Sequence, residues 1–175
     1  MPESDRSFER IERADLLRLA RLAAEVEAGL FARTPRGAGR YAGRLLCRAL
    51  CQGAALHFLD GKNGVKDFDV WSFYAAREDD PFPVRWRKAV DFGPSKFGRY
   101  PNDPPRYRGR RIDCLGRSLL VPPGADPVAA VRDYLSAART ETAQELGKKA
   151  VILLTPDHAA GEVIWPRNGR SQDRP

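Results

Sequence analysis

Two aspartates stand one residue apart inside a strand-forming run, VKDFDVWSFY, at residues 65–74. Aromatic and β-branched residues dominate this run, so it predicts a β-strand. On a strand, residues i and i+2 face the same side at a separation of about 6.5–7 Å, so Asp67 and Asp69 project together while Phe68 and Val70 pack into the core. Carboxylates this close repel each other, and both stay ionised only if a cation lies between them.

A third acid stands in a second apolar run, RRIDCL. Asp113 alternates there with Ile112 and Cys114, so it faces away from the core on a predicted strand. If that strand lies beside the first, Asp113 joins Asp67 and Asp69 on one face. Three carboxylates on adjacent strands can hold two metal ions, the arrangement that serves in-line phosphoryl or nucleotidyl transfer. Mg²⁺ favours such oxygen ligands.

A small-residue turn precedes the acidic strand by twelve residues. Gly53 and Ala54 follow a candidate strand at about 45–51, which its periodicity does not separate from a helix, and they precede a short helix ending at Gly61. Glycine allows close approach of the backbone to a phosphate, and the N–H groups at a helix start can bind it. We therefore predict that Gly53 and Ala54 are nucleotide-binding residues.

The order of these motifs resembles the polymerase-β-like nucleotidyltransferase superfamily. The likeness covers roughly residues 40–120 and depends on Gly53–Ala54, on Asp67-Phe68-Asp69-Val70 and on Ile112-Asp113-Cys114. It implies that Asp67 and Asp69 ligate Mg²⁺, with two ions in the site, and that Asp113 helps to activate an acceptor hydroxyl. The second position of the turn, usually glycine or serine in that superfamily, is Ala54 here and offers only its backbone N–H.

The positive charge of the chain is concentrated near this region. Residues 85–117 contain ten Lys/Arg and three Asp/Glu, interleaved with aromatic residues, whereas the rest of the chain is balanced at 20 basic and 20 acidic residues. Such a segment favours a polyanionic partner, and we predict that Lys96, Arg99 and Arg111 contact nucleotide phosphates. The alternatives are a solvated loop paired with acids elsewhere and a non-catalytic module that binds nucleic acid through this insert. A sugar-nucleotide transferase, whose Asp-x-Asp also holds a metal, needs a larger sheet.

The remaining patterns predict an α+β fold with a mixed β-sheet covered by helices on one face. The resemblance implies that this fold is nucleotidyltransferase-like. Residues 13–31 form an amphipathic helix, and Asp126 caps a second helix that has Pro127 in its first turn. Residues 75–108 are expected to be mostly loop, whereas KKAVILL and GEVIW are closing strands.

The length of 175 residues predicts one domain over 11–165 with a basic insert at 75–110, a disordered head at 1–10 and a disordered tail at 166–175. The N-terminus has no apolar secretory segment and no run is long enough to span a membrane. The three cysteines form an odd set of free thiols. These features predict a cytoplasmic protein. The resemblance implies an enzyme that uses a nucleoside triphosphate, with a nucleic acid or a partner protein as the candidate acceptor.

Overall fold

A six-stranded mixed sheet forms the centre of the computed structural model, which describes residues 5–79, 81–82 and 86–167. The strands lie in the order β3-β4-β2-β1-β5-β6. They are β1 Leu45–Cys51, β2 Phe68–Ala75, β3 Arg87–Asp91, β4 Arg111–Leu119, β5 Ala150–Leu153 and β6 Val163–Trp165. β2 and β4 are parallel, and every other neighbouring pair is antiparallel. The predicted α+β class with a mixed sheet is confirmed.

Among the described residues, four α-helices pack against this sheet. They are α1 Arg13–Arg33, α2 Gln52–Asp60, α3 Pro127–Ala137 and α4 Glu141–Gly147. The side chain of Asp126 accepts a hydrogen bond from Ala129 N, as expected for the N-cap of α3. Thr140 caps α4 in the same way, through Ala143 N.

Alternation along the strands divides the core between the two faces of the sheet. Leu50 and Val70 lie opposite each other on one face and belong to a cluster with α1 and α2. The next residues along β1 and β2 point to the other face, where Cys47 and Phe73 pack with α3 and α4. Helices therefore cover part of both faces of the sheet, whereas the sequence predicted helices on one face. On the second face they cover the end that contains Phe73 and Leu119. The acids lie at the other end of that face.

The segment predicted to be mostly loop contains the edge strand β3 and a folded connection, residues 92–110. Phe92 and Phe97 are buried and pack around Phe68, so these rings belong to the core rather than to a base-stacking surface. Asp91 closes the base of the connection, because its carboxylate accepts hydrogen bonds from the backbone N–H groups of Gly93, Arg108 and Gly109 at 2.7–2.9 Å.

The residues expected to form a disordered head are partly held against the domain. Ser7 forms an antiparallel bridge with Val65, and the carbonyl of Glu9 contacts the ring of His57. The predicted tail lies outside the described residues from position 168 onwards. All three cysteines are free and buried. Within the described ranges, no helix has the length and apolar character that a membrane span requires.

The base of the 92–110 connection leaves no space for a side chain at Gly109. A Cβ atom placed there would lie 1.8 Å from the carbonyl oxygen of Gly93. We expect Gly109→Ala to lower the free energy of unfolding by about 2–4 kcal/mol, because backbone must move to remove the overlap. Gly147→Ala is the control, since Gly147 lies in α4 and its Cβ would meet the Trp165 side chain at an ordinary 3.9 Å. Equal urea midpoints for the two variants would contradict the packing described here.

The Asp91 contacts predict a dependence of stability on pH. Burial alone would raise the pKa of Asp91, but its three backbone donors outweigh burial and lower this pKa below its usual value. The carboxylate therefore contributes stability that is present above about pH 4 and is lost as the pH falls through the lowered pKa. Asp91→Asn should cost roughly 1–3 kcal/mol at pH 7 and progressively less towards pH 2, measured by urea denaturation. A cost independent of pH would contradict this role.

Candidate functional site

The parallel pairing of β2 with β4 brings two of the predicted acids together. Asp69 lies directly opposite Asp113 in the register of the two strands. Asp67 stands immediately before β2, so the strand alternation favours the same face for it. Cys51, the last residue of β1, lies opposite Asp69 on the other side. The acids thus occupy the end of the sheet face that α3 and α4 leave uncovered.

Two arginines neutralise much of this negative charge. Arg87 on β3 and Arg111 at the start of β4 both contact the carboxylate of Asp113, at 2.8 Å and 3.2 Å, and this acid is only 2% exposed. Arg111 also donates to Asp67 Oδ2 at 3.1 Å. The predicted nucleotide-binding residue Arg111 is therefore part of the site, where it bridges two of the three acids.

Asp69 differs from its neighbours, because no hydrogen bond or ion pair joins its carboxylate to a residue that the structure describes. Burial, followed by the charges of Asp67 and Asp113, raises the pKa of Asp69 to about 7. Arg87 and Arg111 act in the opposite direction but do not compensate. The site therefore contains one carboxylate whose charge is still costly, which an added cation would stabilise.

A cavity of about 370 Å³ opens beside this carboxylate. Asp67 and Asp69 line one side of it, and Gln52, Gly53 and Ala54 at the start of α2 line another. The side chain of Cys51 does not cap α2, and N–H groups at such a helix start can bind an anion. The structure thus brings Gly53 and Ala54 into one cavity with two of the three acids.

Three basic residues of the cavity were missed by the sequence analysis, namely Arg6, Lys66 and Lys149. Lys66 could have been found, since it directly precedes Asp67. Lys149 could not, because its position depends on the pairing of β5 with β1. Both lysines are exposed and can approach a phosphate group in the cavity.

Two predicted phosphate-binding residues lie elsewhere. Lys96 forms ion pairs with Glu12 and Asp15 at the start of α1, at 3.0 Å and 3.2 Å. Arg99 donates to the backbone carbonyl of Asp103. Neither residue lines the cavity beside the acids. The positive charge of the insert is thus largely used in contacts within the protein.

The donor set around the acids consists of oxygen atoms, which suits Mg²⁺. In the part of the chain that the structure describes, no three acidic, histidine or cysteine side chains are arranged to hold a metal ion. Asp113 is engaged by its two arginines, which leaves Asp67 and Asp69 as the pair that faces the cavity. One or two carboxylates with substrate phosphates are a common ligand set for Mg²⁺, so these two residues fit such an ion only together with a phosphate ligand.

The chain matches no family model, and neither a curated protein nor a solved structure is significantly similar to it.

The raised pKa of Asp69 predicts that this site lowers the stability of the metal-free protein. In the unfolded chain Asp69 has an ordinary pKa near 3.8, whereas its pKa in the folded protein is about 7. Stability is therefore lost as the pH rises from about 4 to 7. In EDTA at pH 8, we expect Asp69→Asn to raise the free energy of unfolding by roughly 1–3 kcal/mol, with a smaller gain at pH 5.

The control for this prediction is Asp60→Asn. A backbone hydrogen bond from Lys62 lowers the pKa of Asp60, so removal of its charge should bring no gain. Urea denaturation at both pH values provides the measurement. A loss of stability in Asp69→Asn at pH 8 would show that Asp69 has a stabilising partner in solution.

Proposed function

We propose that this protein is a Mg²⁺-dependent nucleotidyltransferase, which moves a nucleoside monophosphate from a nucleoside triphosphate to an acceptor hydroxyl. The observation that carries the proposal is the cavity in which Asp67 and Asp69 face the uncapped start of α2. Paired carboxylates on one side and backbone N–H groups on the other are what a metal-bound triphosphate requires.

The charges around the cavity support a polyphosphate ligand. Asp67 and Asp69 are opposed there by Arg6, Lys66 and Lys149, so the lining is net positive by one charge even before a metal ion binds. When bound, Mg²⁺ would neutralise phosphate charge between the two carboxylates. The volume of about 370 Å³ lies within the usual range of small-molecule sites.

The protein residues contribute mostly by positioning. In this proposal Gly53 and Ala54 bind phosphate oxygens through their N–H groups, and Lys66 and Lys149 contact the oxygens that leave with pyrophosphate. The acceptor oxygen attacks the α-phosphorus, the bond to the β-phosphate oxygen breaks, and pyrophosphate departs with its electron pair. Restraint of both reactants in line supplies much of the rate enhancement.

Asp113 receives the proton of the acceptor hydroxyl in this scheme. It is ion-paired with Arg87, whose side chain is 58% exposed and free on one side to turn towards solvent. Arg111 remains in contact with both Asp113 and Asp67 and holds the two carboxylates in position. The acceptor would therefore enter along the β3 edge of the site, where Arg87 is displaced by its arrival.

Calorimetric titration with ATP, GTP, CTP and UTP, each with and without Mg²⁺, tests the proposal. We expect metal-dependent binding of at least one triphosphate, with its loss in the Asp67→Asn/Asp69→Asn double variant. Lys149→Gln should weaken binding about 5–10-fold, because a charge-assisted contact with phosphate is lost. Lys96→Gln is the matched control, since it removes the same charge outside the cavity.

Two results would contradict the proposal. If none of the four triphosphates binds, the proposal that this protein is a nucleotidyltransferase is wrong. Equal weakening by Lys96→Gln and Lys149→Gln would indicate a general effect of charge rather than a site at the acids. Once the nucleotide is known, incubation of the α-labelled triphosphate with a cell extract and detection of the label on an RNA or protein tests the transfer to an acceptor.

A further inference from the structure

Two separate parts of the chain form the wall of the cavity that faces away from the sheet. They are the N-terminal segment, residues 5–9, and the loop 61–67 that joins α2 to β2. Arg6 from the segment lines the cavity, as do Gly64 and Lys66 from the loop. The two parts pack closely, because a Cβ placed at Gly64 would lie 2.9 Å from the Cβ of Arg6. The shape of this wall therefore depends on how the segment is held against the loop.

The side chain of His57, on α2, binds both parts of this wall. His57 is buried, with 3% of its surface exposed. The backbone N–H of Gly64 donates to Nδ1 at 3.1 Å, and Nε2 lies 3.0 Å from the carbonyl oxygen of Glu9. Two backbone hydrogen bonds between Ser7 and Val65, at 2.9 Å and 2.6 Å, complete the attachment of the segment to the loop.

These contacts determine which nitrogen of the ring carries the proton. Because Gly64 donates an N–H to Nδ1, this nitrogen is an acceptor, so the proton is on Nε2 and is donated to Glu9. The neutral ring satisfies both contacts. A charged imidazolium has an N–H on each nitrogen, and the one on Nδ1 would point at the N–H of Gly64. Protonation of His57 therefore breaks the contact with the loop.

Charged side chains also lie on the parts of the chain that pack against the ring, but main-chain groups occupy both of its nitrogens. The Phe8 ring meets the His57 ring edge to face, with the centroids 6.3 Å apart. The charged residues of the segment, of the loop before the acids and of the end of α2 are Asp5, Arg6, Glu9, Asp60, Lys62 and Lys66. Acidic and basic groups are equal in number among them, so the response to pH originates in the ring itself.

We propose that His57 is a positioning residue for the cavity, whose neutral ring holds the wall in place and whose protonation releases it. Loss of the bond to Gly64 frees the loop that carries Lys66 and Asp67, and the segment that carries Arg6. Histidine is the side chain whose charge ordinarily changes between pH 5 and 8. The affinity for a triphosphate therefore falls towards pH 5, a consequence that rests on the proposed function.

Hydrogen exchange of the Gly64 amide, followed by NMR on the whole protein without ligand, tests the role of His57 directly. The protection factor corrects for the intrinsic effect of pH on exchange. We expect it to fall at least about 10-fold between pH 7.5 and pH 5, because the amide loses its acceptor. The Phe92 amide, which donates to the carbonyl of Arg110 at 2.9 Å, is the control and should not lose protection.

His57→Asn separates the charge of the ring from its shape. The Oδ1 atom of asparagine can replace Nδ1 as the acceptor and remains an acceptor at every pH, so the protection of Gly64 should be equal at pH 7.5 and pH 5. His158→Asn is the matched control, since it removes the other histidine of the chain, which is exposed, and should keep the wild-type response. The wild-type measurement decides the proposal even if His57→Asn does not fold.

Calorimetry with inorganic triphosphate and Mg²⁺ measures the effect on the cavity. Between pH 7.5 and pH 5 the wild type should lose at least about 5-fold more affinity than His57→Asn, because Arg6 and Lys66 no longer approach the phosphates from fixed positions. Protonation of Asp69, whose pKa is about 7, weakens metal binding in both proteins alike and cancels in this comparison.

Three outcomes would overturn the proposal: equal protection of Gly64 at both pH values in the wild type, an equal loss of triphosphate affinity in the wild type and His57→Asn, or a response to pH that His158→Asn abolishes. Absence of triphosphate binding combined with pH-dependent protection of Gly64 would contradict the proposed function, while it would confirm that His57 holds the wall.

Discussion

The parallel pairing of β2 with β4 determines where the acids of this protein lie. Side chains alternate along both strands, so the register that buries Val70 against Cys114 also places Asp69 opposite Asp113. A slip of one residue would move Asp113 into the core and Ile112 out of it. The hydrophobic core and the acidic site are therefore specified by one arrangement of hydrogen bonds, and the energy of the core keeps like charges together.

The electrostatic repulsion among the three acids is offset to a different extent at each carboxylate. Asp113 has two arginine partners and Asp67 has one, whereas Asp69 is left with repulsion from both acids. An arrangement selected only for stability would pair or remove this carboxylate. Uncompensated charge beside a cavity is typical of sites that bind an ion or a ligand, and this is the reason why the proposed function gives Asp69 a central role.

The sequence was informative where a local pattern determines structure. The aspartate alternation and the Asp126 cap each depend on a few adjacent residues, and the structure agrees with both. Gly53 and Ala54 were expected to form a turn before the helix, but they lie within its first turn because α2 begins at Gln52. β3 was missed because its neighbours are rich in proline, arginine and glycine, and only pairing with β4 makes Arg87–Asp91 a strand. Likewise, the sequence shows that Lys96 is basic but not that Glu12 and Asp15 lie beside it. Ion pairs and cavities depend on tertiary contacts, which composition does not contain.

The strand order has a consequence for behaviour at high concentration. β3 and β6 are the two edges of the sheet, and an edge strand with free backbone groups invites pairing with a second molecule. β6 has only three residues, which offers a partner very little length. β3 is longer, but its exposed residues Arg87 and Lys88 place two positive charges where another copy of the same edge would have to approach. Arg87 thus serves both the acidic site, through its contact with Asp113, and the protection of the β3 edge against pairing with another copy.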